Sequence, residues 1–190
     1  FLLFFLLAGA IQVPYIQNYL VTKTTEVASE ITGHKITIAG IHIDWFDIVV
    51  LEEAVLWDNH NNKMIYLGEA EVDYTVLSLM KGSFYIDNIT FRDGEVNLVR
   101  YQNEDAINIT EFIFRIQELT TPKVKRTTAP VAIEIPQFTL DNMLFSYDDK
   151  REPFITEGYF DHNHFTMDSI HGRMTNFYAV LDTIQLTTHH

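Results

Sequence analysis

The chain has 190 residues, 47% of them hydrophobic, which suffices for one large or two small packed units and argues against a disordered chain. Its formal net charge of −13 argues against nucleic-acid binding, because neutralising phosphates requires clustered lysine and arginine. The chain contains no cysteine, which excludes disulfides, thiolate metal sites and cysteine nucleophiles.

The N-terminus is an unbroken apolar run up to Ala8 that continues weakly to Pro14. About 13 helical residues reach roughly 20 Å, short of the ~30 Å hydrocarbon layer. Two interpretations compete: a signal-peptide core ending at the small residues 8–10, or the outer end of a membrane anchor. With no basic flank before Phe1, we favour the anchor and assign residues 1–14 to the C-terminal part of a membrane helix. Its anchoring side chains are Phe1, Leu2, Leu3, Phe4, Phe5, Leu6 and Leu7.

An amphipathic helix is predicted next, over residues 15–33. Pro14 suits a helix start and Gly33 a helix end. The apolar stripe that we expect to pack on the first strands consists of Ile16, Leu20, Val27 and Ile31. A helix lying on the membrane surface is the alternative, although such a helix would carry more basic residues.

A spacing of apolar residues recurs along the rest of the chain, at a start position and then 2, 5, 7, 12 and 14 residues later. The copies are Ile36, Ile38, Ile41, Ile43, Ile48, Val50; Phe84, Ile86, Ile89, Phe91, Val96, Leu98; Ile133, Ile135, Phe138, Leu140, Phe145, Tyr147; and, more weakly, Phe165, Met167, Ile170, Gly172, Phe177, Ala179. Steps of two keep side chains on one face of a strand, and the step of three indicates a bulge. The stretches 44–47, 92–95, 141–144 and 173–176 predict turns. Each copy is therefore expected to be a bent strand, a turn and a returning strand with one continuous apolar face.

The remaining segments predict further strands and short helices. Residues 49–57 and 64–74 are predicted strands joined by a polar turn, and residues 75–80 one or two helical turns. Residues 108–119 are a better helix, with Asn108 and Glu111 as a capping box. Residues 120–130 are predicted to be a linker between a first β unit (34–119) and a second (131–190).

Catalytic signals are weak. His162 and His164 would share a strand face as two metal ligands might, but a third ligand at known spacing is missing. The adjacent acids Asp148 and Asp149 cannot pair across a substrate, and a solvated loop explains them better. No nucleophile elbow or zincin helix occurs in the sequence. We therefore predict no catalytic residue, no metal, no cofactor and no enzymatic activity.

Several segments carry a family resemblance, and it covers about residues 1–120. They are the apolar anchor, then Val-Pro-Tyr-Ile-Gln-Asn-Tyr-Leu-Val at 13–21, Thr-Gly-His-Lys-Ile-Thr-Ile at 32–38, Leu-Glu-Glu-Ala-Val-Leu-Trp-Asp at 51–58, and Phe-Tyr-Ile-Asp-Asn-Ile-Thr-Phe-Arg-Asp-Gly-Glu-Val at 84–96. In this order they resemble the N-terminal region of a TamB-like protein (translocation and assembly module) of the AsmA superfamily, most similar to the Bacteroidota type.

The resemblance implies a mainly β fold with short α elements, in which a membrane helix and an amphipathic helix lead into a repeated, curved sheet. That sheet would form a groove of the β-taco kind, polar outside and apolar inside. It also implies an inner-membrane anchor with the body in the periplasm of a Gram-negative bacterium. The implied function is phospholipid transport to the outer membrane, assembly of outer-membrane proteins, or both, with a TamA-like β-barrel as partner.

The groove would be lined by the apolar residues of the recurring spacing. The lipid-groove candidates are Ile36, Ile38, Ile41, Ile43, Phe84, Ile86, Ile89, Phe91, Val96, Leu98, Ile133, Ile135, Phe138, Leu140 and Phe145. The second hypothesis is a structural or adhesive β-repeat domain in which the same residues form a closed core, with no transported ligand.

Overall fold

The computed structural model describes residues 14–44, 47–75, 86–120, 132–155 and 158–180. These described residues are mainly β with two short helices, and their sheet is not closed. In chain order the elements are α1 (Pro14–Thr32), β1 (Ile36–Thr37), β2 (Gly40–Asp44), β3 (Ile48–Trp57), β4 (Lys63–Tyr74), β5 (Ile86–Arg100), α2 (Thr110–Thr120), β6 (Ala132–Asp149) and β7 (His164–Val180).

All seven strands belong to one sheet, in the order β1-β3-β4-β5-β6-β7, with β2 pairing β3 beside β1. Every neighbouring pair is antiparallel except β5 and β6, which are parallel. Parallel neighbours need a crossover connection, and α2 lies in the segment that connects them. Within the described residues β7 is an edge strand.

Helix α1 has the predicted bounds but not the predicted packing face. It begins at Pro14 and ends at Thr32, and Gly33 follows in the left-handed conformation (φ 71°) that commonly terminates a helix. Val27 and Ile31, predicted to pack on the strands, are instead 49% and 45% exposed.

The face of α1 that packs on β1 and β2 carries small polar side chains. The Ser29 hydroxyl accepts a hydrogen bond from the Ile36 backbone N–H at 3.0 Å, and Thr32 is buried. Small residues let the helix approach the strand closely enough for such a bond, which the bulkier Val27 and Ile31 would prevent. The predicted apolar stripe was therefore wrong in its C-terminal half.

The predicted turns were wrong in three of the four copies. Strands β5, β6 and β7 run without reversal through residues 92–95, 141–144 and 173–176. The first copy alone reverses direction, between β2 and β3. The Asp, Asn and Gly residues that predicted turns have another role in the three continuous strands.

They belong to a row of residues that the strand pairing skips, which we call the crease. The crease consists of Glu53, Gly68, Asp93 and Asn142. Three of these residues have positive φ (48°, 51° and 55°), and the pairing from β3 to β6 skips each of the four. One left-handed residue adds a position to a strand without reversing it, so that the following side chains return to the original face. The five-residue step of the spacing, as from Phe91 to Val96, spans this extra position.

The three-residue step has a related origin. In β5 the register shifts between the pairs made by Asp73 and Tyr74, next to the step from Ile86 to Ile89. At the corresponding step of β6, the pairing with β7 skips Pro136 and Asn176, and Asn176 has positive φ (57°). The bulge predicted from the three-residue step is thus confirmed in β5.

The repeat in the sequence is a repeat in the sheet. Equivalent positions of the second and third copies are 49 residues apart, and β5 and β6 pair in parallel with that same offset. The pairs are Ile89 with Phe138, Phe91 with Leu140, Val96 with Phe145 and Leu98 with Tyr147.

Most of the buried apolar side chains belong to β2, β3 and β4. These are Ile41, Val50, Val55, Leu56, Met64 and Ala70, to which β6 adds Ile135 and Met143. Helix α1 packs against β1 and β2, and α2 packs against α1. The helices therefore cover one edge of the sheet, and in the described part of the chain no helix lies along β5, β6 or β7.

Other predictions are partly confirmed. The polar turn joins β3 and β4 as expected, and α2 lies within two residues of its predicted start. The predicted capping box was wrong: the Asn108 side chain bonds to β5, and Glu111 accepts a hydrogen bond from Asn59 at 2.5 Å. The predicted helical turns at 75–80 and the linker at 120–130 lie almost wholly outside the described residues.

Candidate functional site: the apolar face of the open sheet

One face of the sheet is apolar from β2 to β7. A row of directly paired residues on this face runs Ile41, Leu51, Ala70, Phe91, Leu140 and Gly172. The next row runs Ile43, Val49, Val72, Ile89, Phe138 and Met174. We call this surface the apolar face.

Aromatic rings pack along the apolar face on both sides of the crease. The rings of Phe91 and Phe138 meet edge-to-face with centroids 5.2 Å apart. Beyond the crease, Phe165 lies 5.9 Å from Phe145 and 6.0 Å from Tyr147. The crease therefore bends the sheet without interrupting its apolar surface.

The opposite face, which we call the polar face, carries ions and amides. Arg92 of β5 forms ion pairs with Glu69 and Glu71 of β4, the latter at 2.8 Å. The Ser146 hydroxyl donates a hydrogen bond to the Asn97 side chain at 2.6 Å across the parallel pair of strands. The sheet thus has two different faces, as the spacing predicted. In the first copy, however, Ile48 and Val50 pair with Asp44 and His42 and lie on the polar face, so the prediction of one continuous apolar face was wrong there.

The groove candidates that the structure describes are either buried or half-buried. Ile41 and Ile135 are buried. The half-buried candidates are Ile36, Ile38, Ile43, Ile86, Ile89, Phe91, Val96, Leu98, Phe138, Leu140 and Phe145. The side chain of Ile133, and all of Phe84 and of the anchor residues Phe1–Leu7, lie outside what the structure describes.

The structure brings the β5 and β6 candidates together as direct neighbours. Two strands, β3 and β4, separate them from the first-copy groove candidates, which lie in or next to β1 and β2. Leu51 and Ala70 continue the apolar row across that gap, and neither was among the predicted groove residues. The alternation of side chains in β3 and β4 carried the signal for them, because both strands were predicted from it.

A buried carboxylate, Asp58, organises the end of the sheet where β3 and β4 are joined. It is 5% exposed and accepts hydrogen bonds from the Tyr101 hydroxyl (2.5 Å) and from the backbone N–H groups of His60 and Asn62. Burial alone would raise the pKa of Asp58, but these bonds and one from Asn108 outweigh it and hold the pKa below its ordinary value. Burial and the bond to Asp58 raise the pKa of Tyr101 to about 12.

Asp149 is a second buried carboxylate, at the end of β6, and here the prediction of a solvated loop was wrong. It is 2% exposed and pairs with Arg100 at 2.7 Å and with Arg151 at 3.3 Å. Burial would raise the pKa of Asp149, but hydrogen bonds from the two arginines lower it below its ordinary value. Because the parallel pairing places Arg100 beside Asp149, this ion pair joins the ends of β5 and β6.

The loop after β6 exposes large apolar side chains at the same end of the sheet. Phe154, Tyr159 and Phe160 are 78%, 81% and 73% exposed, and Phe160 lies 5.6 Å from the Phe165 ring. Asp161 accepts hydrogen bonds within this loop, foremost from the Ile155 backbone, and these lower its pKa.

The His164 ring lies 3.0 Å from the Asp161 carboxylate, whereas His162 is exposed. Among the described residues no group of three or more His, Cys, Asp or Glu side chains is placed to hold a metal ion. His162 therefore lies exposed in the loop, whereas His164 begins β7 within hydrogen-bond distance of Asp161.

Comparison of the chain with protein-family models, curated proteins and solved structures gave no significant match. No helix in the part of the chain described by the structure is long and apolar enough to cross a membrane. In the described residues the fold and the surface thus define an open, mainly β sheet with one apolar face, with two helices at its β1–β2 edge.

Proposed function

We propose that this protein is an inner-membrane-anchored periplasmic conduit that carries phospholipid towards the outer membrane on the apolar face of its sheet. The observation that carries the proposal is that no described helix packs on the apolar face of β5, β6 and β7. Their apolar side chains form continuous rows, yet among the described elements both helices pack at the opposite edge of the sheet. A half-buried apolar surface of this kind supports the proposal, because large exposed apolar patches mark sites that bind ligands, membranes or other proteins.

The physical argument concerns the acyl chain of a lipid outside the bilayer. Exposing it to water costs about 25 cal/mol for each Å² of apolar surface. A strip of Phe, Ile, Leu and Val side chains that crosses the crease without a charged side chain offers an equivalent environment at successive positions. Movement along such a strip requires no tight polar pocket.

Location and partners follow from the family resemblance. The apolar residues Phe1–Leu7 would anchor the protein in the inner membrane of a Gram-negative bacterium, and the sheet would lie in the periplasm. A TamA-like β-barrel of the outer membrane is the proposed partner, and assistance in assembling outer-membrane proteins is the companion role. Neither role involves catalysis or a cofactor.

Photo-crosslinking tests the conduit in cells. A photoreactive amino acid at Phe138, on the apolar face, is expected to capture phospholipid, and the same group at the neighbouring Thr139, on the polar face, is the matched control. We also expect Ile86→Asp and Phe138→Asp to impair lipid delivery while the circular dichroism spectrum stays unchanged. Equal yields of lipid adduct at the two positions, or none at Phe138, would refute the proposal.

The covered part of the sheet favours a second candidate, a structural or adhesive β-repeat domain with no transported ligand. Buried apolar residues of β2–β4, among them Ile41, Leu56 and Ala70 on the apolar face, form an ordinary closed core there. If this description extends to β5–β7 in the cell, Ile86→Asp and Phe138→Asp will unfold the protein and no lipid will be captured. The same two variants therefore separate the candidates.

A further inference from the structure

The apolar face has an open notch at Gly172 in β7. Gly172 pairs with Leu140, and a β-carbon at Gly172 would have no heavy atom within 4 Å apart from those of its chain neighbours. Its backbone lies outside the left-handed region, so conformation does not require a glycine at this position. The missing side chain leaves space on the apolar face.

Two methionines border this notch along β7. Met174 pairs with Phe138 on one side, and Met167 pairs with Phe145 on the other. They are 43% and 48% exposed, in contrast to Met143 of the adjacent strand, which is 5% exposed. Unbranched, polarisable methionine side chains adapt to flexible apolar ligands.

We infer that the β6–β7 strip around Gly172, between Met167 and Met174, is the seat of a single acyl chain. This inference rests on the proposed function and specifies where on the apolar face the lipid binds. Seven residue steps separate the methionines, and because Ser169 between them has positive φ (51°), the distance is at most about 23 Å. The acyl chains of one leaflet span about half of the ~30 Å hydrocarbon layer, so that one chain fits this length.

An alkyl chain suits the strip better than a peptide strand does. Two charged side chains of these strands lie next to the notch in sequence, Asp141 beside Leu140 and Arg173 beside Gly172. Arg173 pairs with Thr139, and the Asp141 carboxylate lies 2.8 Å from the His171 ring. Their positions alternate with Leu140 and Gly172, so both side chains lie on the polar face. A peptide lying across the notch would bury backbone N–H and C=O groups that find no partner there, whereas an alkyl chain has no such groups.

Filling the notch tests this assignment on the full chain. We expect Gly172→Leu to fold normally and to lower photolabelling at Leu140, Met167 and Met174 at least tenfold, with a phosphatidylcholine carrying a diazirine midway along one acyl chain as the probe. Gly172→Ala should lower it less. Thr175→Leu, which adds similar bulk to the polar face of the same strand, is the matched control and should label like the unaltered protein.

The outcomes separate this inference from the proposed function. Labelling that is unchanged in Gly172→Leu, or that falls on Ile89 and Phe91 but not on β6–β7, overturns the acyl seat and leaves the conduit standing. An absence of labelling anywhere on the apolar face overturns both. Crosslinks from Met174 to a second copy of the chain, or to an added amphipathic helical peptide in preference to lipid, would likewise contradict the acyl seat. Thermal unfolding of each variant verifies that it is folded.

Discussion

The two halves of the sheet share one apolar pattern but differ in what covers it. In the half formed by β1–β4, helix α1 packs on β1 and β2, and Met64 of β4 is fully buried. In the half formed by β5–β7, most residues of the same spacing remain half-buried, Ile135 excepted, and Met167 and Met174 are nearly half exposed. The periodicity of a strand sets which face is apolar, whereas the elements that pack on it decide whether that face becomes a core or a surface.

The largest expected effect is in the covered half. Met64→Ala should lower the free energy of unfolding by about 2–5 kcal/mol, because it leaves a cavity at a site with no exposure. Met174→Ala, the matched change in the open half, should cost less than about 1 kcal/mol. Chemical denaturation measures both, and equal losses would contradict the division of the sheet into two halves.

Gly94 and Gly172 provide a second comparison, between a crowded and an open position of the sheet. A β-carbon at Gly94 would lie 2.5 Å from the Met143 methyl and 2.9 Å from the Tyr66 carbonyl oxygen. We therefore expect Gly94→Ala to destabilise by about 1–3 kcal/mol through overpacking. Gly172→Ala meets open space and should stabilise by about 0.5 kcal/mol, because glycine is unfavourable within a strand. Thermal unfolding of the two variants should show opposite signs, and a shared sign would refute this prediction.

Asp58 provides a pH-dependent test at the end of the covered half. Because its pKa is lower in the folded protein than its ordinary value, its contribution to stability is present above about pH 4 and disappears as the pH falls through the folded pKa. Asp58→Asn should cost about 1–3 kcal/mol at pH 7 and progressively less below pH 4. Urea denaturation across this range checks the prediction, and a pH-independent difference would contradict it.

The smallest effect is expected on the polar face. Arg92 pairs with Glu69 and Glu71 at the surface, so Arg92→Ala should cost less than about 1 kcal/mol, and less still in 1 M NaCl. Arg100→Ala, which removes the partner of the buried Asp149, is the comparison and should cost more with weaker salt dependence. Unfolding at two salt concentrations measures both, and a large, salt-independent loss for Arg92→Ala would show that its pairs are not solvated.

Sequence patterns predicted elements whose signals are local. Pro14 and Gly33 mark the ends of α1 because ring closure and left-handed backbone act at single positions, and Asp58 begins a turn because its own carboxylate binds the next backbone N–H groups. The two-residue steps of the apolar spacing predicted the apolar face for the same reason, because side chains alternate between faces within a single strand.

Features that depend on distant partners were not predicted. Asp93 and Asn142 have the residue types of a hairpin turn, but pairing with a parallel strand 49 residues away holds them in a continuous strand. Similarly, Ile31 is apolar, yet small side chains make the close contact between α1 and β1. Local sequence does not report which strand lies beside a given residue.

The methionines allow the most direct test of the central claim, that lipid contacts the open half and not the covered half. With methionine methyl groups labelled with ¹³C, a phospholipid carrying a nitroxide on its acyl chain should broaden the NMR signals of Met167 and Met174 and leave that of Met64 sharp. Equal broadening of all three signals, or none at Met167 and Met174, would contradict the account.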